Sequence, residues 1–345
     1  MSIYLYRLTF HGPVHFGKTG IGLENTEDRL SSDSLSSAII NAFSVLGEAD
    51  QVVKALCTDK PPFILSSLFP FGPIGEAKEL YYALPRPLCE PHITDNRILK
   101  NMGKDIKRVR YLQPQDFGRW IEDKPLTEDE LRKIIERSQK LAKPCDEGNK
   151  NGWWIQDLRP RAALDRMSQN SALWLCGALY FADQAGLYGL VNFHDENWKP
   201  RLSTAFRVLG DMGLGGERTY GMGSFCFSEF ESPGPEWQSL LCSKENSSKK
   251  VLLSLYHPLK KELSDLDQQL EAWDLVERKG YIVSGRDATT LKRQRVWMFT
   301  EGSVAKGPLK GLMVDVTPDN AVSLGLVHRV YRSGLAFLLP SGGLV

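Results

Sequence analysis

Six glycines fall within the sixteen residues GDMGLGGERTYGMGSF, Gly210 to Phe225, with Arg218 and Tyr220 in their midst. Glycine reaches positive φ and lets other groups lie close against the main chain. Consecutive backbone N–H groups then form a nest for an anion, so phosphate binding is the first chemistry to consider. Two familiar phosphate loops do not fit. A P-loop needs Lys and Ser or Thr after its second glycine, and Met222 and Gly223 follow Gly221. The dinucleotide fingerprint opens a helix after a strand. Counted from Gly213, Arg218 stands in its third glycine's place, and here a helical pattern precedes the loop and a strand-like run follows. A tight helix-to-strand connection that only packs is the competing reading. The run His194, Asp195, Glu196 invites a metal, but no second cluster at ligand spacing supports one, and a polar turn after a strand explains it. Six cysteines lie far apart with no C-x-x-C, which argues against a zinc site and a disulfide framework and fits a reducing cytoplasm.

The elements that must carry this loop are legible around it. At 345 residues the chain has room for two domains. Its 42% hydrophobic and 25% charged content is that of a soluble globular protein, and no apolar run reaches the ~20 residues of a membrane span. The N-terminus alternates like a strand, about Ile3 to His11, and lacks the basic start and cleavage site of a secretory signal. A glycine-rich loop leads to a helix that starts at SSDS. Ser32 or Asp33 is placed to accept first-turn N–H groups, Leu35, Ile39, Ala42, Phe43 and Leu46 share a face, and Gly47 fits the C-terminal cap. From about 61 to 170 prolines interrupt the chain, which reads as a large insertion. It holds one clear helix, PLTEDELRKIIERSQKL, with Thr127 and Glu130 as a capping box. The run 97–110, RILKNMGKDIKRVR, has helical apolar spacing and a local charge of +5. ALWLCGALYF and LYGLVNF, joined by ADQAG, read as an antiparallel pair. A helix over 202–209 and the strand GSFCFSEFE complete the order β-α-β-β-α-β, the ferredoxin-like motif. Residues 232–250 read as a linker. Beyond it a strand, a capped helix over HPLKKELSDLDQQLEAW and hairpin-like strands read as a second α+β domain, a decayed copy of the first. The fold expectation is thus α+β: two ferredoxin-like (RRM-like) domains in tandem, 1–231 with the insertion, and 251–345.

Several segments together resemble the RAMP superfamily of CRISPR-associated proteins, and within it the handle-capping subunit of type III-A (Csm) interference complexes. PVHFG (13–17) resembles the family's first loop and SDSLSSAI its first helix. PRAALDRMSQ resembles the R-x-x-x-D-R segment near the tip of the RNA-contacting thumb, and FRVLGDMGLGGERTYGMGSF resembles the signature glycine loop. LLSLYHP, GYIVSG, RVWMFTEGSV and HRVYRSGLAFLLP resemble the C-terminal half. The resemblance implies a non-catalytic RNA-binding scaffold of the prokaryotic cytoplasm, with no cofactor, metal or membrane. It would hold the 5′ handle of the CRISPR RNA (crRNA), contact the backbone RAMP subunit and dock the large polymerase/cyclase-like subunit, in antiviral defence. A crRNA-processing RAMP endoribonuclease and the equivalent cap of a type III-B complex are the alternatives.

On that reading Gly213, Gly215, Gly216, Gly221 and Gly223 let the loop lie against RNA phosphates and sugar edges. Arg218 pairs with a phosphate or stacks on a base, Tyr220 is a stacking platform, and Glu217 pairs with Arg218 or a nearby base to orient it. Arg161 and Arg166 flank Asp165 downstream of Trp153 and Trp154, residues suited to backbone contact and base stacking, the alternative being core tryptophans with surface arginines. Arg286 and Arg293, with Lys292 and Arg295, form a second basic cluster that meets RNA or a protein partner. The first loop and helix add His15, Lys18 and Ser32 as RNA contacts. His15 stands where processing ribonucleases of the superfamily place a catalytic histidine, but no partner acid or base is evident.

Overall fold

The structure, a computed structural model, describes residues 2–17, 22–75, 79–93, 95–146, 151–167, 170–241, 249–282, 291–321, 323, 325–326 and 328–340. β1 (Ser2–Phe10) buries Leu5, Tyr6 and Leu8. α1 (Ser32–Val45) buries most of the face its spacing predicts, Leu35, Ile39, Ala42 and Phe43, while Leu46 beyond its end is exposed and Gly47 follows at φ 75. After α2 (Ala49–Leu56) come β2 (Phe63–Leu65), β3 (Phe69–Pro73), β4 (Leu80–Tyr82) and β5 (Leu84–Pro85). α3 (Asn96–Arg108), β6 (Tyr111–Leu112), α4 (Pro114–Ile121) and α5 (Glu128–Ser138) follow. The capping box forms as spaced: Thr127 Oγ1 accepts from Glu130 N–H at 3.3 Å and Glu130 Oε2 from Thr127 N–H at 2.9 Å. β7 (Trp154–Leu164) and β8 (Ser171–Phe181) form an antiparallel hairpin in unbroken register from Trp154↔Phe181 to Leu164↔Ser171. β9 (Gly186–Phe193), α6 (Trp198–Met212) and β10 (Phe225–Phe227) complete the N-terminal part.

The main sheet is antiparallel, in the order β10-β1-β9-β3-β4, with β2 also paired to β9. α1 packs on α6, and Phe206 of α6 covers Tyr6 of β1 at 4.7 Å between centroids. Two expectations change. ALWLCGALYF does not pair with LYGLVNF: one edge of β9 is taken by β1 and the other by β2 and β3, while β8 bonds along its length to β7. The segment 63–73, placed in the insertion by its prolines, belongs to the main sheet. Pro70 is accommodated there opposite Leu187.

In the second half, α7 (Gln238–Leu241) and β11 (Lys250–Leu252) are followed by α8 (Leu266–Gln269), β12 (Leu270–Ala272), β13 (Leu275–Arg278) and β14 (Val296–Phe299). β15 (Val304–Ala305), β16 (Met313–Asp315), β17 (Tyr331–Ser333) and β18 (Leu338–Leu339) close the chain. One sheet runs β12-β15-β11-β18, and β13–β14 and β16–β17 are separate hairpins. The long helix expected over 257–273 is replaced by a 3-10 turn, the four-residue α8 and β12. The reason is Glu262, which turns inward. It accepts from Tyr256 OH and from the N–H groups of Leu259, Lys310 and Gly311, and so ties this segment to the strand region beyond. Nor is 232–241 a bare linker. Trp237 is fully buried and meets the rings of Tyr82 and Tyr188. One hydrophobic core includes Leu5, Phe43 and Leu190 together with Val251, Leu253 and Phe337 of the second half. The class is α+β with antiparallel sheets, and no helix among the described residues is long and apolar enough to cross a membrane.

Candidate functional site

The glycine loop is built against the first loop of the chain. Gly216 N–H donates to His15 O at 2.8 Å, and Gly223 N–H to Pro13 O at 2.9 Å. Gly215 sits at φ 100, where a Cβ would come within 2.6 Å of His15 O. Gly223, at φ 87, would drive a Cβ into Leu214 O. Gly213 faces Met222 O, and Gly216 faces the His15 ring. Gly221 alone of the five opens onto free space. The missing side chains thus make room first for the protein's own backbone, and the packing role of the loop is real.

His15 belongs to that packing. It is 3% exposed, and its Nδ1 donates to Gly177 O at 2.8 Å. A ring so enclosed shapes the loop, and this corrects its assignment as an RNA contact. Ser32 is corrected for the same reason. It is 2% exposed, its Oγ accepts from Leu255 N–H at 3.0 Å, and its own N–H donates to Ser67 Oγ at 2.8 Å. Trp153 and Trp154 are core residues at the root of the hairpin, with Trp153 Nε1 donating to Pro73 O at 2.7 Å. They are not stacking platforms. His194 donates Nδ1–H to Pro61 O, and Asp195 Oδ1 accepts from Asn197, a polar turn.

The exposed side of the loop is different. Tyr220 is 61% exposed, and the Arg161 guanidinium from β7 lies over its ring at 4.2 Å from the centroid. Arg161 Nε is buried without a hydrogen-bond partner. Arg159, one position earlier on the same face of β7, lies over Tyr180. Burial pushes the Cys176 thiol up, Glu217 adds to this, and Arg161 and Arg159 oppose it, which places all three charges around the junction of hairpin and loop. Arg218 is half-buried, and among the described residues neither it nor Glu217 is in an ion pair, so the expected pairing of Glu217 with Arg218 is absent. Sequence reading placed Arg161 and Tyr220 in separate segments, and the structure brings them into contact. Arg166 is exposed at the hairpin tip, remote in register from the loop junction. The outer hairpin also exposes Leu158, Leu164, Leu173 and Leu175 on one face. Lys18 and Arg286 lie outside the described residues.

Arg293 belongs to a cluster that no local pattern announced. Asp33, fully buried in the first turn of α1, accepts from Arg278 Nε and Nη2, both at 2.9 Å, and from Arg332 Nη1. Burial favours the neutral acid, but the two guanidiniums outweigh it and hold the carboxyl below its usual range. Among the described residues Arg293 has no such partner. Burial, with Arg332 and Arg278 nearby, pushes it down to about 10, and Asp33 offsets this only in part. Its Nε is buried without a hydrogen-bond partner.

Comparison with known proteins places these residues in a family context. The family model of the CRISPR Csm4 C-terminal domain matches residues 245–341. Among curated relatives, the "CRISPR system Cms protein Csm4" of Thermococcus onnurineus is 26% identical over 89% of this chain and 90% of its own. That of Mycobacterium tuberculosis is 25% identical over 96% and 95%. Among solved structures, the fold matches a chain of the Csm3–Csm4 subcomplex of the type III-A CRISPR-Cas interference complex, with TM-score 0.59, 19% identity and 99% of both chains covered. It also matches a chain of the Csm1–Csm4 cassette in complex with cA4, with TM-score 0.53, 21% identity and 98% and 97% covered. The resemblance read from the sequence is borne out: the family model and the curated relatives that match are those of Csm4.

Proposed function

We propose that this Csm4-like subunit of a type III-A CRISPR (Csm) effector complex holds the 5′ handle of crRNA where the glycine loop meets the root of the β7–β8 hairpin. The observation that carries the reading is the Arg161–Tyr220 stack beside an Arg218 that is free of any ion pair among the described residues. A guanidinium held flat on an exposed ring is ready for a phosphate or an unpaired base. Gly221 leaves the adjacent backbone open to a ligand. Arg293, which lies near Arg332 and Arg278 with Asp33 offsetting them only in part, supports a second anion contact in the C-terminal half. The subunit links the large polymerase/cyclase-like subunit to the backbone RAMP subunit in the prokaryotic cytoplasm. The solved relatives, crystallised with Csm1 and with Csm3, support those partners. The exposed leucine face of the hairpin is an apolar patch of the kind that marks contact sites.

The role is that of a scaffold. His15, the one candidate base in the first loop, is enclosed and already donates to Gly177 O, so it is not placed to reach a 2′-hydroxyl. Along the chain β1, α1, β2 with β3, β9, α6 and β10 succeed one another as β-α-β-β-α-β with every strand in one sheet, which supports a ferredoxin-like first domain over 1–231. The second half, after a connection over 232–250, reads as a reduced copy in which turns stand for helices. Incubating the purified chain with repeat RNA tests the proposal. Binding without cleavage is expected, whereas cleavage lost in His15→Ala would identify a processing ribonuclease instead.

A further inference from the structure

The RNA reading uses the glycine loop and leaves unexplained the strongest charge pattern in the chain. α3 buries one face: Ile106 is 4% exposed, and Ile98 and Met102 pack against the core. Arg97, Lys100, Lys104 and Lys107 follow one another at steps of three and four residues, Arg108 stands four beyond Lys104, and all five are exposed. That spacing sets them on one outer face, over a length of about 16 Å at 1.5 Å per residue. Among the described residues only Arg108 has an acidic partner, Asp105 at 3.5 Å, and both are well exposed. Several exposed arginines elsewhere are paired, as in Arg132–Glu128, Arg207–Glu229 and Arg329–Asp315. With 43 basic and 42 acidic residues, the chain has carboxylates enough to do the same here.

Helix stability does not explain the array. Lys107 and Arg108 complement the C-terminal end of the helix dipole, but Arg97 sits in the first turn, where a cation is unfavourable. The pairs Lys100–Lys104 and Lys104–Arg108 are like charges at i,i+4, which weaken a helix. Counter-charge brought by a ligand removes both penalties. We propose that this outer face of α3 is a second RNA-contact surface, which binds the phosphate backbone of a single strand without regard to sequence. The proposal rests on the RNA-binding reading above. Two further observations favour RNA over an acidic protein. The stripe is three parts lysine to two of arginine, and among the described residues it has no exposed large hydrophobic side chain. Protein interfaces are depleted in lysine and anchored by aromatic residues, whereas phosphate is neutralised by Lys and Arg. The helix is also tied to the proposed site through the first loop, where Glu27 N–H donates to Phe16 O at 2.8 Å. At the C-terminal end of α3, Arg110 Nη2 and Tyr111 OH both donate to Asp28 at 3.0 Å, and Asp28 lies on the same first loop whose His15 backs Gly216.

The test is a salt titration of the full chain with a fluorescent single-stranded RNA that begins with the handle. Each phosphate contact contributes about −0.7 to the slope of log K against log salt. The triple variant K100Q/K104Q/K107Q is therefore expected to flatten the slope by about 2. The loss should be equal on RNAs that differ in sequence beyond the handle. The charge-conserving K100R/K104R/K107R should keep the wild-type slope, and unchanged helical circular dichroism in both excludes a folding defect. A triple-Gln variant with the wild-type slope overturns the α3 surface while leaving the glycine-loop reading intact. So does one that binds RNA normally but no longer joins its partner subunits, since the face would then meet protein. Wild-type chain that binds no RNA at all overturns the functional reading and this surface with it.

Discussion

Asp33→Asn removes one charge and almost no volume, and it should loosen the joint between the two halves of the chain. Asp33 lies on α1, Arg278 on β13 and Arg332 on β17, so the carboxylate gathers three separate elements. All three side chains are shielded: Asp33 is fully buried, and Arg278 and Arg332 are 15% and 4% exposed. Removing one partner of such a group leaves uncompensated buried charge and costs about 3–5 kcal/mol. A chain of this length has an unfolding entropy of about 0.7 kcal/mol/K near its midpoint, so the melting temperature should fall by about 4–7 °C. Scanning calorimetry measures the shift. In a double-mutant cycle with Arg332→Met the cost of Asp33→Asn should shrink, because one of the two stranded cations is gone. The pH dependence has a definite sign. The Asp33 carboxyl is held below its usual range, so its contribution is present above the unfolded value of about 3.9 and is lost as pH falls through the folded value. Wild-type and variant stabilities should therefore converge in acid. A midpoint within about 1 °C of wild type at neutral pH would refute the reasoning, since three hydrogen bonds to charged groups at about 1.5–3 kcal/mol each cannot vanish unnoticed.

Other variants separate packing from RNA contact. Arg218→Ala should weaken handle binding by about 1–3 kcal/mol in an anisotropy titration, the range for a lost charge-assisted contact, and unchanged affinity would remove the glycine loop from the interface. Arg161→Ala and Tyr220→Ala should each cost about 1 kcal/mol of RNA affinity, because either one breaks the stack, whereas Tyr220→Phe keeps the ring and should bind as wild type. Arg293→Gln should leave the melting temperature unchanged or raise it, since Arg293 lies beside two other guanidiniums, and should weaken RNA binding. A clear loss of stability with no change in RNA affinity would make Arg293 a structural residue.

What could be read from sequence was mostly local. The capping box at Thr127 and Glu130, the apolar face of α1 and the helical run before the glycine loop depend on residues a few positions apart, and each formed as spaced. Partner choice was not local. β9 has β1 on one side and β2 with β3 on the other, a pairing invisible to the short ADQAG link that suggested β8. Apolar spacing over 257–273 suggested a helix, and the inward carboxylate of Glu262 prevented one. His15 and Ser32 resembled contact residues because their neighbours did, and their burial is set by Gly177 and Leu255, far along the chain. Asp33 meets Arg278 and Arg332 across separations of 245 and 299 residues, with no periodicity to betray them. In the site itself, the residue types at 161, 218 and 220 were legible, while the stack of Arg161 on Tyr220 needed the hairpin's position.

The most direct measurement is to purify the tagged full chain from its native host, identify the co-purifying subunits and sequence the bound RNA. Short RNAs that share one repeat-derived 5′ end, recovered with the large polymerase/cyclase-like subunit and a backbone RAMP subunit, are the predicted result. Recovery of the chain without RNA and without those subunits would contradict the account and leave the glycine loop as a turn that only packs.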